Sequence, residues 1–255
     1  ERIAILSQNR VEYVEVYGAA EIAGFIVATI NFRLSLAEMA YILNDCAPTI
    51  LVFESQYQDR VSELRPLCPS IKFFICIGNG SDWAEPYEDV LASGSPTGPP
   101  IRASRADIAH IIYTSGTTGR PKGCMLGQQE EWSAALMMHH VQGGGPGSSI
   151  LLMMPFFHVG SKRCSNTQNS CGGTVYILPG FDAEQVLERW RVEAILLAPV
   201  MVQSLLTCPA IDGHDVSSLS KIIYSAAPMP GPLLRSGLAR FGSVFLNIYG
   251  QTEGV

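Results

Sequence analysis

Tyr113-Thr114-Ser115-Gly116-Thr117-Thr118-Gly119-Arg120-Pro121-Lys122-Gly123 is the stretch that decides the fold. Its three glycines let a backbone approach an anion closely and expose its N–H groups. The hydroxyls of Thr114, Ser115, Thr117 and Thr118 add donors, and Lys122 adds a point charge suited to phosphate. A flexible Ser/Thr/Gly linker is the plainer reading of such composition. The apolar run at 108–113 leading straight into the stretch, and the Pro-Lys-Gly closing it, argue for a phosphate cradle instead. The P-loop pattern G-x-x-x-x-G-K-[ST] does not fit, because Pro121 stands at its second glycine and Gly123 follows the lysine.

Outward from the loop, strand-like and helix-like periods alternate, the pattern of an α/β protein with a largely parallel sheet. Upstream, residues 10–29 read as one helix, apolar on nearly all sides towards its end. Ser35 followed by Glu38 is a capping-box pattern, which starts a helix over 36–44. Strands are expected at 49–53 and 71–77, with a helix near 56–67 between them. The Gly/Ser/Pro-rich segment 78–105 reads as a surface excursion. Downstream, Gly143-Gly144-Gly145-Pro146-Gly147 makes a second break before a strand at 150–154. This glycine cluster does not complete G-x-G-x-x-G, so no dinucleotide fingerprint follows. Strands at 174–178, 194–198, 221–225 and 244–248 then alternate with helices. One of these is opened by Asp182 with Gln185 three residues on, and the others span 200–207 and 232–241.

The 255 residues are 47% hydrophobic and 16% charged, with a formal net charge of -6, which describes a packed globular protein and gives no basic surplus for nucleic acid. No apolar run suits a bilayer span: 17–30 carries Glu21, and 194–206 contains Pro199 and Gln203. The seven cysteines form no C-x-x-C pair and their number is odd, so reduced thiols in a cytoplasmic protein are expected.

With these motifs in hand, the chain resembles the adenylate-forming (AMP-binding) superfamily, and most of all an acyl-CoA synthetase. The loop at 113–123 looks like that family's signature loop. Pro155-Phe156-Phe157-His158-Val159-Gly160 is similar to its P-x-F-H-x-x-G segment, and Tyr249-Gly250-Gln251-Thr252-Glu253 to its Y-G-x-T-E segment. Ser225-Ala226-Ala227-Pro228 resembles the turn that faces adenine, and Asn31-Phe32-Arg33-Leu34 the N-x-R-L of acyl-CoA synthetases. The resemblance implies the large N-terminal domain of an α/β fold, two parallel-rich sheets sandwiched with helices as βαβ subdomains. Residues 1–18 would join 149–255 in an incomplete second sheet subdomain, and 19–148 would form the first, with the loop.

The resemblance also implies roles. Thr114, Ser115, Gly116, Thr117, Thr118, Gly119 and Lys122 would wrap the phosphates of ATP. Ala226, Ala227 and Pro228 would border the adenine, with Asn247, Ile248, Tyr249 and Gly250 on its other side. Thr252 would bond the α-phosphate, Glu253 would hold Mg²⁺, and His158 would gate the carboxylate site. Lys122, His158, Thr252 and Glu253 are thus the implied catalytic set. The reaction would join ATP and a small fatty or aryl carboxylic acid into an acyl-adenylate, then coenzyme A into a thioester; a homodimer is compatible with it.

Three features stand apart from the family pattern. The C-terminal lid domain with its adenylation lysine is not in this sequence, so the piece alone is expected to bind ATP weakly and turn over poorly. Gly127-Gln128 stands where many relatives have Thr-His. Residues 161–170 are polar where relatives run an apolar helix, which leaves open an unusual substrate, a reordered surface loop or a degenerate copy. An adenylation domain serving a carrier-protein thiol and an inactive ATP-binding module are the alternatives.

Overall fold

The computed structural model describes residues 1–99, 102–115 and 119–254. The chain divides into two units, Glu1–Trp132 and Ser133–Val255.

The first unit starts with β1 (Arg2–Leu6), α1 (Val11–Ala23), β2 (Ile26–Thr29) and α2 (Leu36–Cys46). It continues with β3 (Ile50–Glu54), α3 (Gln58–Leu64), β4 (Phe73–Ile77), β5 (Glu85–Pro86) and α4 (Tyr87–Ala92). β6 (Ile108–Thr114) and β7 (Lys122–Gly127) close it. The sheet order is β5-β4-β3-β1-β2-β6-β7. All pairs are parallel except β6 with β7, which form an antiparallel hairpin at one edge.

The helix expected over 10–29 is two elements. α1 ends at Gly24, whose φ of 80° is left-handed and whose N–H bonds back to the Ala20 carbonyl at 2.8 Å. Glycine takes that conformation without a Cβ penalty. Ile26–Thr29 then enters the sheet between β1 and β6, and burial on both faces of β2 explains why the segment looks apolar all round. α2 starts as its capping box requires: Ser35 Oγ accepts from the Glu38 N–H, and Glu38 Oε2 accepts from the Ser35 N–H at 2.8 Å. Met39, Ile42, Leu43 and Cys46 of α2 are buried in one core with Leu51 and Phe53 of β3.

Residues 1–18 belong to this unit, contrary to the expected pairing with 149–255. Ala4 pairs with Ala28 on one side and Leu51 on the other, so β1 is an interior strand of the first sheet. Its Ala4 and Ile5 are 0% exposed, as a strand covered on every side must be. The division also falls at 132/133 instead of 148/149. α5 (Gln128–Gln142) spans that position.

After α5 the second unit runs β8 (Ser149–Leu152), α6 (Val159–Ser170), β9 (Thr174–Ile177), α7 (Ala183–Glu188) and β10 (Ala194–Leu197). It then runs α8 (Pro199–Thr207), β11 (Lys221–Tyr224), α9 (Gly231–Phe241) and β12 (Phe245–Asn247). The order is β12-β11-β10-β8-β9, parallel throughout. β8 has β9 on one side and β10 on the other, so the chain reverses its direction of travel there. Such a switch point opens a crevice at the carboxyl ends of the strands. Beneath it Trp190, 1% exposed, stacks on Phe241 at 5.7 Å among Val186, Ile195, Val202 and Leu205.

Candidate active site

The loop quoted at the outset joins β6 to β7, with Thr114 paired to Lys122 and Tyr113 to Gly123. It is therefore strand–loop–strand, whereas a P-loop runs from a strand into a helix. Gly116, Thr117 and Thr118 lie outside the described residues. Of the other expected phosphate ligands, Ser115, Gly119 and Lys122 are exposed at the two ends of the loop, and Thr114 is half-buried. Gly119 has φ 91°, so glycine is the natural residue there.

In the second unit a cavity of about 640 Å³ opens at the carboxyl ends of β8, β10, β11 and β12. Its wall takes His158 from the segment after β8, Ser225 and Ala226 after β11, and Ile248, Tyr249, Gly250 and Thr252 after β12. All strands are parallel, so these segments emerge on the same edge. His158 caps the start of α6 with extended backbone and is exposed, its ring 4.5 Å from that of Phe157. Ala226 holds φ 73°, a left-handed conformation that costs a non-glycine residue about 1–2 kcal/mol. The Ile248 N–H bonds to the Tyr224 carbonyl at 3.0 Å, carrying the pairing one residue past β12. A turn closed by Gly254 N–H on the Gln251 carbonyl at 3.1 Å then follows. Ala227, Pro228, Asn247 and Glu253 flank these residues in sequence but are exposed and not among the described residues of the wall.

A family model described as AMP-binding enzyme matches residues 1–255. The chain belongs to that family. Among curated relatives, the medium/long-chain-fatty-acid–CoA ligase FadD8 of Mycobacterium tuberculosis is 29% identical over 98% of this chain and 46% of its own length. The indoleacetate–CoA ligase of Aromatoleum aromaticum is 30% identical over 98% of this chain and 50% of its own. The chain thus spans about half the length of the curated relatives it matches. The inhibitor-bound crystal structure of the N-terminal domain of FACL13 from Mycobacterium tuberculosis superimposes with a TM-score of 0.89 at 26% identity, over 99% of this chain and 63% of that one. The α/β fold with two parallel-rich sheets is accordingly that of the N-terminal part of an AMP-binding enzyme.

Two parts of this cavity escape sequence reasoning. Ala134, Met137, Met138 and Val141 of α5 form an apolar wall; their spacing of three and four residues was the available signal. Arg163 of α6 lines the cavity and donates from Nη1 to the Gly254 carbonyl at 2.8 Å, tying α6 to the turn that carries Thr252 and Glu253.

The polar stretch 161–170 is no surface loop. It is most of α6, and Ser161, Lys162, Cys164, Ser165, Thr167 and Gln168 are buried. Buried polar groups must find partners. Ser161 Oγ donates to the Met154 carbonyl at 2.6 Å, Thr167 Oγ1 to the Arg163 carbonyl at 2.8 Å, and Gln168 Nε2 to Ser148 Oγ at 2.7 Å. Cys164 also lines the cavity, and burial pushes its thiol up to about 12.

For a divalent cation the donor chemistry is sparse. No group of three or more His, Cys, Asp or Glu side chains that could hold a metal occurs among the described residues. Mg²⁺ prefers one or two carboxylates plus phosphate oxygens and water. Glu253 would be the carboxylate. No helix among the described residues is long and apolar enough to cross a membrane.

Proposed function

We propose that the full-length protein carrying this chain activates a small fatty or aryl carboxylic acid with ATP and passes the acyl group to the thiol of coenzyme A. The observation that carries this reading is the cavity, where the His158 segment, the Ser225-Ala226 turn and the segment ending in Thr252 share one sheet edge. Its apolar α5 wall suits the hydrocarbon part of such an acid.

In the first step a carboxylate oxygen bonds to the α-phosphorus, and the bond to the bridging oxygen breaks as pyrophosphate leaves with the electron pair. Both reactants are anionic, so the site must offset their repulsion. Lys122 and the loop N–H groups do this at the departing phosphates. Thr252 donates to the α-phosphate, and His158 borders the incoming carboxylate. Mg²⁺, held at Glu253, would neutralise phosphate charge when bound. Ala226, Ala227 and Pro228 border one side of the adenine, and Asn247, Ile248, Tyr249 and Gly250 the other. In the second step the thiol sulfur bonds to the acyl carbon, AMP leaves, and the thiol proton passes to solvent. A reducing compartment such as the cytoplasm suits the seven cysteines, which form no disulfide among the described residues.

The test is exchange of labelled pyrophosphate into ATP by the full-length protein over a panel of fatty and aryl acids, followed by AMP release with and without coenzyme A. Acid-dependent exchange, with AMP release requiring coenzyme A, is expected. No exchange with any acid would overturn the proposal, and AMP release indifferent to coenzyme A would point to a carrier-protein thiol.

A further inference from the structure

The two ends of the phosphate loop land on one face of α2. Tyr113, the residue just before the loop, donates its hydroxyl to Asp45 Oδ2 at 2.5 Å. Arg120, near the other end, places its guanidinium 5.6 Å from the centre of the Tyr41 ring, within cation–π range. Tyr41 and Asp45 are four residues apart on α2, and so stand one above the other on the same side of that helix.

A third contact aims the first. The antiparallel register sets Tyr113 opposite Gly123, and a Cβ at 123 would lie 3.1 Å from Cζ of the Tyr113 ring and 2.8 Å from Ile111 Cγ2. The missing side chain gives the ring its place against β7. Burial, and after it the hydrogen bond to Asp45, hold the phenol well above its ordinary range, so it stays protonated and donating. α2 is in turn fixed at its start by the Ser35–Glu38 box and along its length by Met39, Ile42 and Leu43 in the core.

We infer that Tyr41 and Asp45 are positioning residues for phosphate binding: the α2 face holds the two described ends of the loop, at Tyr113 and Arg120, in place before the nucleotide arrives. Ordering these ends on binding would otherwise cost affinity. The inference rests on the nucleotide reading proposed above.

The test uses Asp45→Ala, Asp45→Asn and Tyr113→Phe in the full-length protein. It measures KM and kcat for acid-dependent pyrophosphate exchange, amide hydrogen exchange at Ser115, Gly119 and Arg120, and the thermal midpoint. Asp45→Ala and Tyr113→Phe are expected to raise KM for ATP about three- to tenfold, and to speed amide exchange at those residues by a similar factor. KM for the acid should hold. Asp45→Asn keeps an oxygen that accepts the phenolic hydrogen bond and should stay within about twofold of the parent. A lowered midpoint with KM for ATP and amide exchange unchanged would mark a merely structural contact and overturn the inference. Absence of acid-dependent exchange in the parent would instead sink the functional reading, and the amide exchange would then decide the anchor by itself.

Discussion

The β6–β7 hairpin and the cavity beyond β8, β11 and β12 are built by opposite means. The hairpin is a contiguous stretch at an antiparallel edge of the first sheet, its two strands joined by a connection of polar and glycine residues. The cavity draws its wall from residues as far apart as Ala134 and Gly254, and much of it is apolar side chain. In the proposed function one is a device for charge and the other a device for shape. Substitutions in the first should therefore act on nucleotide chemistry, and substitutions in the second on which acid is accepted.

The largest expected effect is at the charge device. Lys122→Ala in the full-length protein should lower the rate of pyrophosphate exchange by roughly 10²–10³-fold, the usual scale for losing one preorganised electrostatic contact, while leaving the order of preference among acids intact. A changed acid preference would break the division of labour. Next is Gly160→Phe in the cavity wall. Nothing lies within 4 Å of a Cβ placed at Gly160, so the ring would project into open space. It should lower kcat/KM for the bulkiest accepted acid by about 10–100-fold, with KM for ATP within twofold.

Gly123→Ala tests the hairpin's packing. With Ile111 and Tyr113 already inside contact distance of the added methyl, it should destabilise the fold by about 1–3 kcal/mol, read from urea unfolding. Two thiols compare the regions through pH. Burial pushes Cys46 in the first unit and Cys164 in the second from 9.0 to about 12, and in Cys46 a hydrogen bond with Tyr113 partly opposes the shift. Between those values the unfolded chain has lost protons that the folded chain keeps. Stability should thus be flat below about pH 9 and fall as pH rises towards 12. The fall should be shallower in Cys164→Ala, and a profile level from pH 8 to 11 would contradict the burial of both. The smallest effect is expected at Ala226→Gly. Relief of the left-handed strain is largely offset by the extra freedom of glycine in the unfolded chain, leaving a gain of about 0–1 kcal/mol by thermal unfolding.

The same contrast governs what the sequence reveals. Local chemistry is legible: the Ser35–Glu38 box starts α2, and Asp182 accepts the Gln185 N–H at 2.9 Å to start α7. Motif residues such as His158, Ala226, Tyr249 and Thr252 can be named in advance because their segments are short and ordered along the chain. What pairs with what is not local. β1 belongs to the first sheet because Ala4 lies between Ala28 and Leu51, and no periodicity within residues 2–6 encodes those partners. β2 hides inside an apolar run that only the left-handed turn at Gly24 interrupts. β7 and α5 escape notice because Gly123 and Gly127 look like loop residues, although glycine at 123 serves ring packing inside a strand. Arg163 and the buried polar face of α6 go unread because polarity suggests solvent, whereas Ser161, Arg163 and Thr167 bond to carbonyls and Gln168 to Ser148.

The position of the hairpin also bears on the order in which the chain assembles. Thr114 and Lys122 are neighbours along the sequence as well as in space, whereas β2 meets β6 only where Val27 finds His110 across a long excursion of chain. Local pairings close on a scale of about 1–10 μs, while distant parallel pairings wait on the entropy of loop closure. Protection of the β6–β7 amides should therefore precede that of β2 in pulsed exchange during refolding. The frame of the glycine-rich loop would then exist before the sheet it edges is complete, and the rest of the first unit would condense onto a hairpin already formed.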